Sequence, residues 1–188
     1  MTELRLSHVA LQTSQLAAMR DWYVAVLDAR VVYEDPGICL ATFDEEHHRL
    51  ALLGMPPGAL DERTPTTIGL SHMAFTLGSM KGLVAKYRAL QKADIVPQVP
   101  VQHGITTSLY YRDPDGNKVE LQIDNFSSAD EATQYMHGPE FLENPAGLTF
   151  DAEALADAFD AGVPVSELIT RTWAAKSPQG DVIRLVLS

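Results

Sequence analysis

Two histidines occupy the same place in a repeated stretch of the sequence. Leu6–Ala10 reads Leu-Ser-His-Val-Ala, and Leu70–Ala74 reads Leu-Ser-His-Met-Ala. An internal repeat of this kind indicates a duplicated supersecondary unit. Since imidazole is a common metal ligand, two units related by a pseudo-two-fold axis would bring His8 and His72 to one central metal site.

The third candidate ligand is Glu120, on a predicted strand over 118–123. The apolar side chains of that strand alternate with polar ones, so Glu120 faces away from the helices. Two imidazoles and one carboxylate form a facial triad that leaves neighbouring coordination positions open. This arrangement suits non-haem Fe(II), which must hold a substrate and O₂ together, and Mn(II) accepts the same ligands.

The corresponding position in the first copy is Ala51, from aligning 48–53 with 117–122. Alanine cannot bind a metal. The sequence therefore predicts a site with three protein ligands rather than four. A fourth carboxylate would leave fewer open positions and would suit the Lewis-acid chemistry of an isomerase better.

The elements that position these residues form two βαβββ modules, at 4–53 and 68–123, joined by a Gly-, Pro- and Thr-rich linker at 54–67. In the first module we predict a strand at 4–11, a helix from its Ser14 cap to Leu27, and strands at 30–33, 38–43 and 48–53. In the second we predict a strand at 68–75, a helix from its Ser79 cap to Lys92, an edge strand at 95–101 broken by Pro97 and Pro100, and strands at 107–112 and 118–123. The fold class is therefore α+β.

The remaining residues, 127–188, are predicted to form a partly helical C-terminal extension after a domain at 1–126. The pattern predicts helices at 152–159, capped by Asp151, and at 167–171, capped by Ser166. Residues 177–180 read as a turn between two short extended runs. We predict no site chemistry here, and His137 is interpreted as an ordinary surface histidine. The sequence leaves open whether the extension covers a domain edge or forms a homo-oligomer interface.

The composition excludes several classes of function. The chain has 188 residues and a formal net charge of −11, so a phosphate backbone or an anionic membrane surface would be repelled. We expect no nucleic-acid or membrane partner. Cys39 is the single cysteine, and the sequence shows no apolar leader or span, so we expect a cytoplasmic protein.

The motifs resemble the vicinal oxygen chelate superfamily, and within it the type I extradiol ring-cleaving dioxygenases. The stretch Val101–Glu120 matches that family's signature: a histidine, a spacer, an apolar residue and tyrosine, then an Asp-Pro-x-Gly turn and a glutamate. The stretch His47–Leu52 resembles its His-His-x-Leu-Ala segment. The resemblance covers 4–126 and implies a half-open mixed β-barrel, the glyoxalase/bleomycin resistance/dioxygenase fold.

The resemblance also implies what each site residue does. Metal ligation falls on His8, His72 and Glu120, with Fe(II) as the cofactor and a small aromatic diol and O₂ as substrates. Outer-sphere catalytic roles fall on His48, His103 and Tyr110. Of the adjacent pair His47 and His48, the second is the active one in the family, so His48 is the predicted acid/base.

Two alternatives share this fold. A glyoxalase-like isomerase would need a fourth ligand in the first module, and Ala51 disfavours it. A non-enzymatic small-molecule-binding resistance protein would have no use for His8 and His72 in matched register with Glu120. The resemblance and the residues together favour extradiol cleavage of a catechol.

Overall fold

The structure, a computed structural model, describes residues 4–61, 64 and 67–187. Contacts within the chain define two compact units. The first contains the residues up to Thr67 together with Asp113–Asn117, and the second contains Ile68–Arg112 and the chain from Lys118 onward. Four residues of the predicted linker at 54–67 (62, 63, 65 and 66) lie outside the described residues, as do the ends of the two predicted domains (1–3 and 188).

The first unit contains a four-stranded mixed sheet and one helix. Its elements are β1 (Val9–Thr13), α1 (Leu16–Leu27), β2 (Arg30–Asp35), β3 (Ile38–Thr42) and β4 (Leu50–Gly54). The strand order is β1-β4-β3-β2, with β1 and β4 parallel and the other pairs antiparallel. The predicted βαβββ order of this module is confirmed.

Helix α1 packs on β3 and β4 because its apolar residues recur at helical spacing. Four of them are buried: Met19, Trp22, Tyr23 and Val26. The prediction that Ser14 caps this helix is wrong. The N-cap is Gln15, which makes no side-chain cap bond; the buried hydroxyl of Thr13 instead accepts a hydrogen bond from the Gln15 N–H at 3.0 Å.

The second unit repeats this order and extends it. Its strands and first helix are β5 (His72–Thr76), α2 (Met80–Gln91), β6 (Val99–Gln102), β7 (Thr106–Arg112), β8 (Lys118–Asp124) and β9 (Leu148–Thr149). The sheet order is β5-β8-β7-β6-β9, whose first four strands reproduce the order of the first sheet. The predicted cap of α2 is confirmed, because the Ser79 hydroxyl accepts a hydrogen bond from the Gly82 N–H at 3.2 Å.

The prediction that the Pro97–Pro100 region forms a sheet edge is wrong. Strand β9 pairs with β6 on the side away from β7, so β6 lies inside the sheet. Pro100 has no N–H to offer, but its carbonyl accepts a hydrogen bond from the Phe150 N–H at 3.3 Å. A proline is tolerated here because the covering strand is only two residues long.

The C-terminal extension consists mainly of short helices, and its contacts place it in the second unit. The helices are α3 (Ala129–Met136), α4 (Pro139–Glu143), α5 (Ala152–Asp160), α6 (Val165–Leu168), α7 (Arg171–Ala174) and α8 (Val182–Leu187). The predicted Asp151 cap is confirmed, since its carboxylate accepts from the backbone N–H groups of Glu153 and Ala154. Helix α5 packs against α2, and α8 packs against β6.

Two predictions for the extension are wrong. A single helix at 167–171 capped by Ser166 does not form; α6 begins directly after Pro164, and α7 is capped by Thr170, whose hydroxyl accepts from the Trp173 N–H. Pro164 is the N-cap of α6, with φ −57° and ψ 135°. The turn at 177–180 is flanked by helices rather than extended runs, because Val182 of α8 is buried in the apolar cluster beside β6.

Candidate metal and catalytic site

Two of the predicted metal ligands meet on neighbouring parallel strands. His72 begins β5, and Glu120 lies in the middle of β8 opposite Ala74. The Nε2 atom of His72 lies 3.1 Å from Oε2 of Glu120. The Glu120 side chain is 5% exposed and the His72 side chain 32%. An imidazole nitrogen and a carboxylate oxygen are thus held together at a partly open position, and both are donor types that non-haem Fe(II) accepts.

The Glu120 carboxylate stays ionised although it is buried. Burial by itself raises the pKa of a carboxyl group. Hydrogen bonds from His72 and Ser108, and the nearby His103 imidazole, outweigh burial and hold the pKa of Glu120 below its ordinary value. The group is therefore a carboxylate near neutral pH, the form that binds a metal ion.

Tyr110 and His103 form a second pair beside this one. Tyr110 lies opposite Glu120 in the pairing of β7 with β8, and its ring meets that of His72 edge to face, with the centroids 5.4 Å apart. The Tyr110 hydroxyl lies 3.0 Å from Nε2 of His103. The other ring nitrogen of His103, Nδ1, lies 2.8 Å from the carbonyl oxygen of Ala146.

These two contacts define the tautomer of His103. A carbonyl only accepts hydrogen bonds, so Nδ1 must carry the proton, and in the neutral ring Nε2 then accepts from the Tyr110 hydroxyl. Burial lowers the pKa of His103 below its ordinary value, which favours the neutral ring. Burial, the negative charge of Glu120 and a hydrogen bond with its carboxylate raise the pKa of Tyr110, so the phenol keeps its proton. Glu120 and Nε2 of His103 are the two acceptors beside the hydroxyl.

The other predicted site residues, His8 and His48, lie in the first unit. His8 is exposed and directly precedes β1, and its ring centroid lies 4.6 Å from that of His48. Arg49 holds the backbone before His8, because its guanidinium donates to the carbonyls of Leu6 and Ser7. Arg49, which follows His48 in the chain, thereby ties the His48 segment to the backbone that precedes His8.

His47 and His48, the adjacent pair from which His48 is the predicted acid/base, contact each other. Their Nδ1 atoms lie 2.6 Å apart, so one ring donates and the other accepts. His48 is less exposed than His47. Desolvation, followed by the neighbouring imidazoles of His47 and His8, lowers the pKa of His48 below its ordinary value. The lowered pKa favours the neutral form of the His48 ring.

The pairing registers agree with the sequence alignment of the two modules. Ala51 pairs with Ala10 across the parallel strands of the first sheet, and Glu120 pairs with Ala74 across those of the second. Ala10 and Ala74 occupy the same position of the repeated motif. Ala51 is thus the structural counterpart of Glu120.

The structure brings four of the six predicted site residues together in the second unit: His72, Glu120, Tyr110 and His103. Within the described residues, no group of three His, Cys, Asp or Glu side chains is arranged to hold a metal ion. Metal ligation by His8, His72 and Glu120 stays a prediction, as do the catalytic roles of His48, His103 and Tyr110.

The sequence did not indicate three further residues beside this site. Ser108 bonds to Glu120, Ala146 accepts from His103, and Arg171 donates to the His103 carbonyl. A serine on a β-strand, an alanine carbonyl and an arginine distant in sequence carry no local signal of their roles. The period-2 alternation of β7 was the one available sign for Ser108, since it places Ser108 on the face of Tyr110.

Among the parts of the chain that the structure describes, no helix is both long and apolar enough to span a membrane.

The chain thus has two mixed sheets with the same strand order, and the second carries an imidazole–carboxylate pair beside a tyrosine. Comparison with known proteins identifies its family. It belongs to the Glyoxalase/Bleomycin resistance protein/Dioxygenase superfamily, whose sequence profile matches residues 5–121. The predicted fold family is confirmed.

Two relatives from Rhodococcus globerulus match over nearly the whole chain. Biphenyl-2,3-diol 1,2-dioxygenase 3 is 57% identical over 98% of this chain and 97% of its own length. Biphenyl-2,3-diol 1,2-dioxygenase 2 is 55% identical over 92% and 90%. A solved glyoxylase/bleomycin resistance protein/dioxygenase domain from Frankia sp. EAN1pec aligns with a TM-score of 0.55 and 23% identity, over 65% of this chain and 99% of that one.

Proposed function

We propose that this protein is an extradiol dioxygenase that opens the ring of a biphenyl-2,3-diol-type catechol with O₂. The observation that carries the proposal is the pairing of the partly exposed His72 with the buried Glu120, directly beside the Tyr110–His103 pair. The substrate class is supported by two relatives named biphenyl-2,3-diol 1,2-dioxygenases, both more than half identical to this chain.

The proposed metal ligands are His8, His72 and Glu120, with Fe(II) as the metal and Mn(II) as the ion that shares its ligand preferences. The ionised state of Glu120 and its contact with His72 support two of the three. The repeated Leu-Ser-His motif supports His8 as the third. When bound, Fe(II) supplies the charge that acidifies the diol hydroxyls and the electronic link between diol and O₂.

The reaction needs no external reductant. The carbon–carbon bond beside the diol breaks, and both atoms of O₂ enter the product, so the aromatic ring is the electron donor. The protein must remove a proton from the diol and later return one as the ring opens. Its residues therefore need an acid/base group and a hydrogen-bond donor near the substrate oxygens.

His48 is the proposed acid/base. Its lowered pKa leaves the ring neutral near pH 7, ready to accept a proton from a diol hydroxyl. For its Nε2 to accept that proton, the Nδ1 of His48 must carry the hydrogen and donate it to Nδ1 of His47, which lies 2.6 Å away.

Tyr110 is the proposed donor to a substrate oxygen, since its raised pKa keeps its proton in place. His103 holds the Tyr110 hydroxyl from the other side through Nε2. When the hydroxyl turns toward substrate, the same Nε2 is available to accept a proton from it.

The alternatives considered from the sequence receive less support. An isomerase with a fourth ligand is disfavoured because Ala51 occupies the position equivalent to Glu120. A metal-free binding protein would gain nothing from a buried carboxylate facing an imidazole, because burying such a charge is costly. We retain the predicted domain at 1–126, the extension at 127–188 and a cytoplasmic location as parts of this proposal.

The test is anaerobic loading of the chain with Fe(II), followed by biphenyl-2,3-diol and isotopically labelled O₂. We expect a ring-opened product that carries both labelled oxygen atoms, identified by mass spectrometry. His48→Gln should keep the bound iron and lose most of the turnover, about 100-fold or more. A single labelled oxygen, or no ring opening with iron bound, would contradict the proposal.

The matched controls are His137→Gln and His47→Gln. His137 is an exposed histidine at the end of α3, so its substitution should leave turnover unchanged. If His47→Gln loses activity and His48→Gln does not, the assignment within the pair is reversed. Ligation is tested separately: His8→Ala and His72→Ala should each lower the iron content measured by metal analysis.

A further inference from the structure

An arginine of the C-terminal extension is buried behind the His103 loop. Arg171, the first residue of α7, is 8% exposed. Its guanidinium donates to three backbone carbonyls, those of His103 at 2.7 Å, Glu140 at 2.8 Å and Asn144 at 2.8 Å. Hydrogen bonds from a charged donor are about twice as strong as neutral ones. One side chain thus ties the His103 backbone to two points of the extension.

Aromatic rings complete the surroundings of this arginine. The centre of the Arg171 guanidinium lies 5.8 Å from the ring centroid of Tyr135 and 6.0 Å from that of Phe141. Its two terminal nitrogens make the three hydrogen bonds to carbonyls, whereas the buried Nε–H has no partner among the described residues. The carbonyls and the two aromatic faces together fix the position of the guanidinium.

The segment that carries the Ala146 carbonyl approaches His103 unusually closely. Gly147 has a φ of +93°, and a Cβ atom there would lie 2.3 Å from the Gln102 carbonyl oxygen and 2.8 Å from the His103 Cα. Only glycine allows this approach. The Asn144 side chain closes the turn by donating to the Gly147 carbonyl and accepting from the Gly147 N–H.

We propose that Arg171, through the turn at Asn144–Gly147, is a positioning residue that holds His103 as the Nδ1–H tautomer with Nε2 toward Tyr110. Arg171 fixes the backbone at both ends of the Nδ1–Ala146 hydrogen bond, because it donates to the carbonyls of His103 and Asn144. The inference rests on the proposed function, in which Nε2 serves the Tyr110 hydroxyl. The extension thereby contributes to the site without touching substrate.

A purely structural role for Arg171 predicts something different. If Arg171 only stabilises the fold, its removal lowers stability and leaves the His103 ring and the turnover of the folded protein unchanged. A positioning role requires a change at the imidazole itself. The nitrogen chemical shifts of a histidine ring report which nitrogen carries the proton, so they separate the two roles.

The experiment compares Arg171→Met, Arg171→Lys and the control Arg184→Met, all in the full chain with labelled histidine nitrogens. Arg184 is an exposed arginine of α8. Spectra are recorded without metal, well above the ordinary imidazole pKa of about 6.5, with His103 assigned from the signal lost in His103→Gln. The parent and Arg184→Met should show a protonated Nδ1. Arg171→Met should show a mixture of tautomers, and Arg171→Lys should recover part of the parent signal.

Kinetics of the Fe(II)-loaded variants give an independent readout. We expect kcat of Arg171→Met to fall about 10- to 100-fold with KM nearly unchanged, since a small misplacement of a catalytic group costs this much. A folded Arg171→Met with the parent's tautomer and kcat overturns the proposal. If Arg171→Met does not fold, Asn144→Ala decides: a shifted tautomer supports the proposal, and an unshifted one overturns it.

These outcomes separate the proposal from the proposed function. The tautomer is measured without substrate or metal. If the parent chain fails to cleave any catechol, the proposed function fails, and the His103 spectra still test the role of Arg171.

Discussion

Leu40 and Ala51 pair across β3 and β4 of the first sheet, and Tyr110 and Glu120 pair across the equivalent strands of the second. The strand order is the same in both sheets. One sheet places two apolar side chains where the other places a phenol and a carboxylate. A duplicated scaffold has thus kept its backbone in both copies and carries this chemistry in only one.

The outer edges of the two sheets differ as well. All residues of β2 are exposed, including Val31, Val32 and Tyr33. Its counterpart β6 is covered by β9 and by α8. The extension therefore completes the sheet that carries Tyr110 and Glu120. Rigid support behind catalytic side chains improves their positioning, so this cover would favour the proposed roles of Tyr110 and Glu120.

The strongest test of the comparison makes the second sheet like the first at one position. Glu120→Ala should lower iron affinity by more than about 100-fold, because even the outer partners of metal ligands are worth about 10- to 100-fold. Iron content after dialysis measures this. Gln122→Ala, two residues along the same face of β8, is the matched control and should bind iron like the parent. Full iron content in Glu120→Ala would remove Glu120 from the site.

A milder change removes only the phenol oxygen. Tyr110→Phe should lower kcat about 100-fold, as does loss of one positioned donor in other enzymes, while the free energy of unfolding changes by about 1 kcal/mol. Steady-state kinetics and urea denaturation measure the two effects. Tyr111→Phe is the control, since the buried Tyr111 hydroxyl has no hydrogen-bond partner among the described residues. Equal kcat in the two variants would speak against a role for Tyr110.

The helix starts of the two modules offer a comparison of stability. Ser79→Ala removes a cap and should cost about 1 kcal/mol of unfolding free energy, whereas Ser14→Ala should cost almost nothing because Ser14 does not cap α1. Urea denaturation of both variants checks this. A loss at Ser14 as large as that at Ser79 would restore the sequence-based prediction for α1.

The smallest expected effect concerns acid stability of the second unit. Arg88, Tyr87 and Gln91 of α2 bond to Glu153 of α5 and lower its pKa from 4.5 to about 2. Since the folded-state pKa is depressed, this contribution is present above about pH 4.5 and is lost as the pH falls toward 2. Glu153→Gln should therefore weaken the protein at pH 6 and flatten its loss of stability in acid.

Each unit holds one tryptophan, which makes this measurable. Trp22 lies in α1 and Trp173 in α7. In a Trp22→Phe background, fluorescence reports Trp173 and hence the second unit. An identical acid profile with and without Glu153→Gln would show that the α2–α5 contact contributes nothing to stability.

The sequence predicted well the features that follow from the alternation of side chains along a strand and from the internal repeat. The period-2 alternation of β8 and the repeated motif placed Glu120 and Ala51 at equivalent positions, as the strand pairing shows. It was less informative at the start of α1, where Ser14 and Gln15 are both polar candidates for the N-cap. There the buried Thr13 hydroxyl accepts the Gln15 N–H, and Ser14 does not cap the helix. It failed at β6, because the strand that covers Pro100 comes from residues far along the chain.

The partners of His103 show the same limit more sharply. No periodicity links His103 to Ala146 or Arg171, which are joined by hydrogen bonds across 43 and 68 positions of sequence. Such contacts follow from the path of the backbone, so a sequence motif that identifies His103 cannot identify what holds it.

The position of Ala146 in the chain has a consequence for biosynthesis. A ribosome releases the chain from its N-terminal end, and domains generally fold as they emerge. His103, Tyr110 and Glu120 leave the ribosome well before the carbonyl that orients the imidazole. The nascent protein therefore completes the surroundings of His103 late, and premature termination beyond Glu120 but before Ala146 would yield a chain that carries the signature motif and lacks the carbonyl that holds Nδ1 of His103.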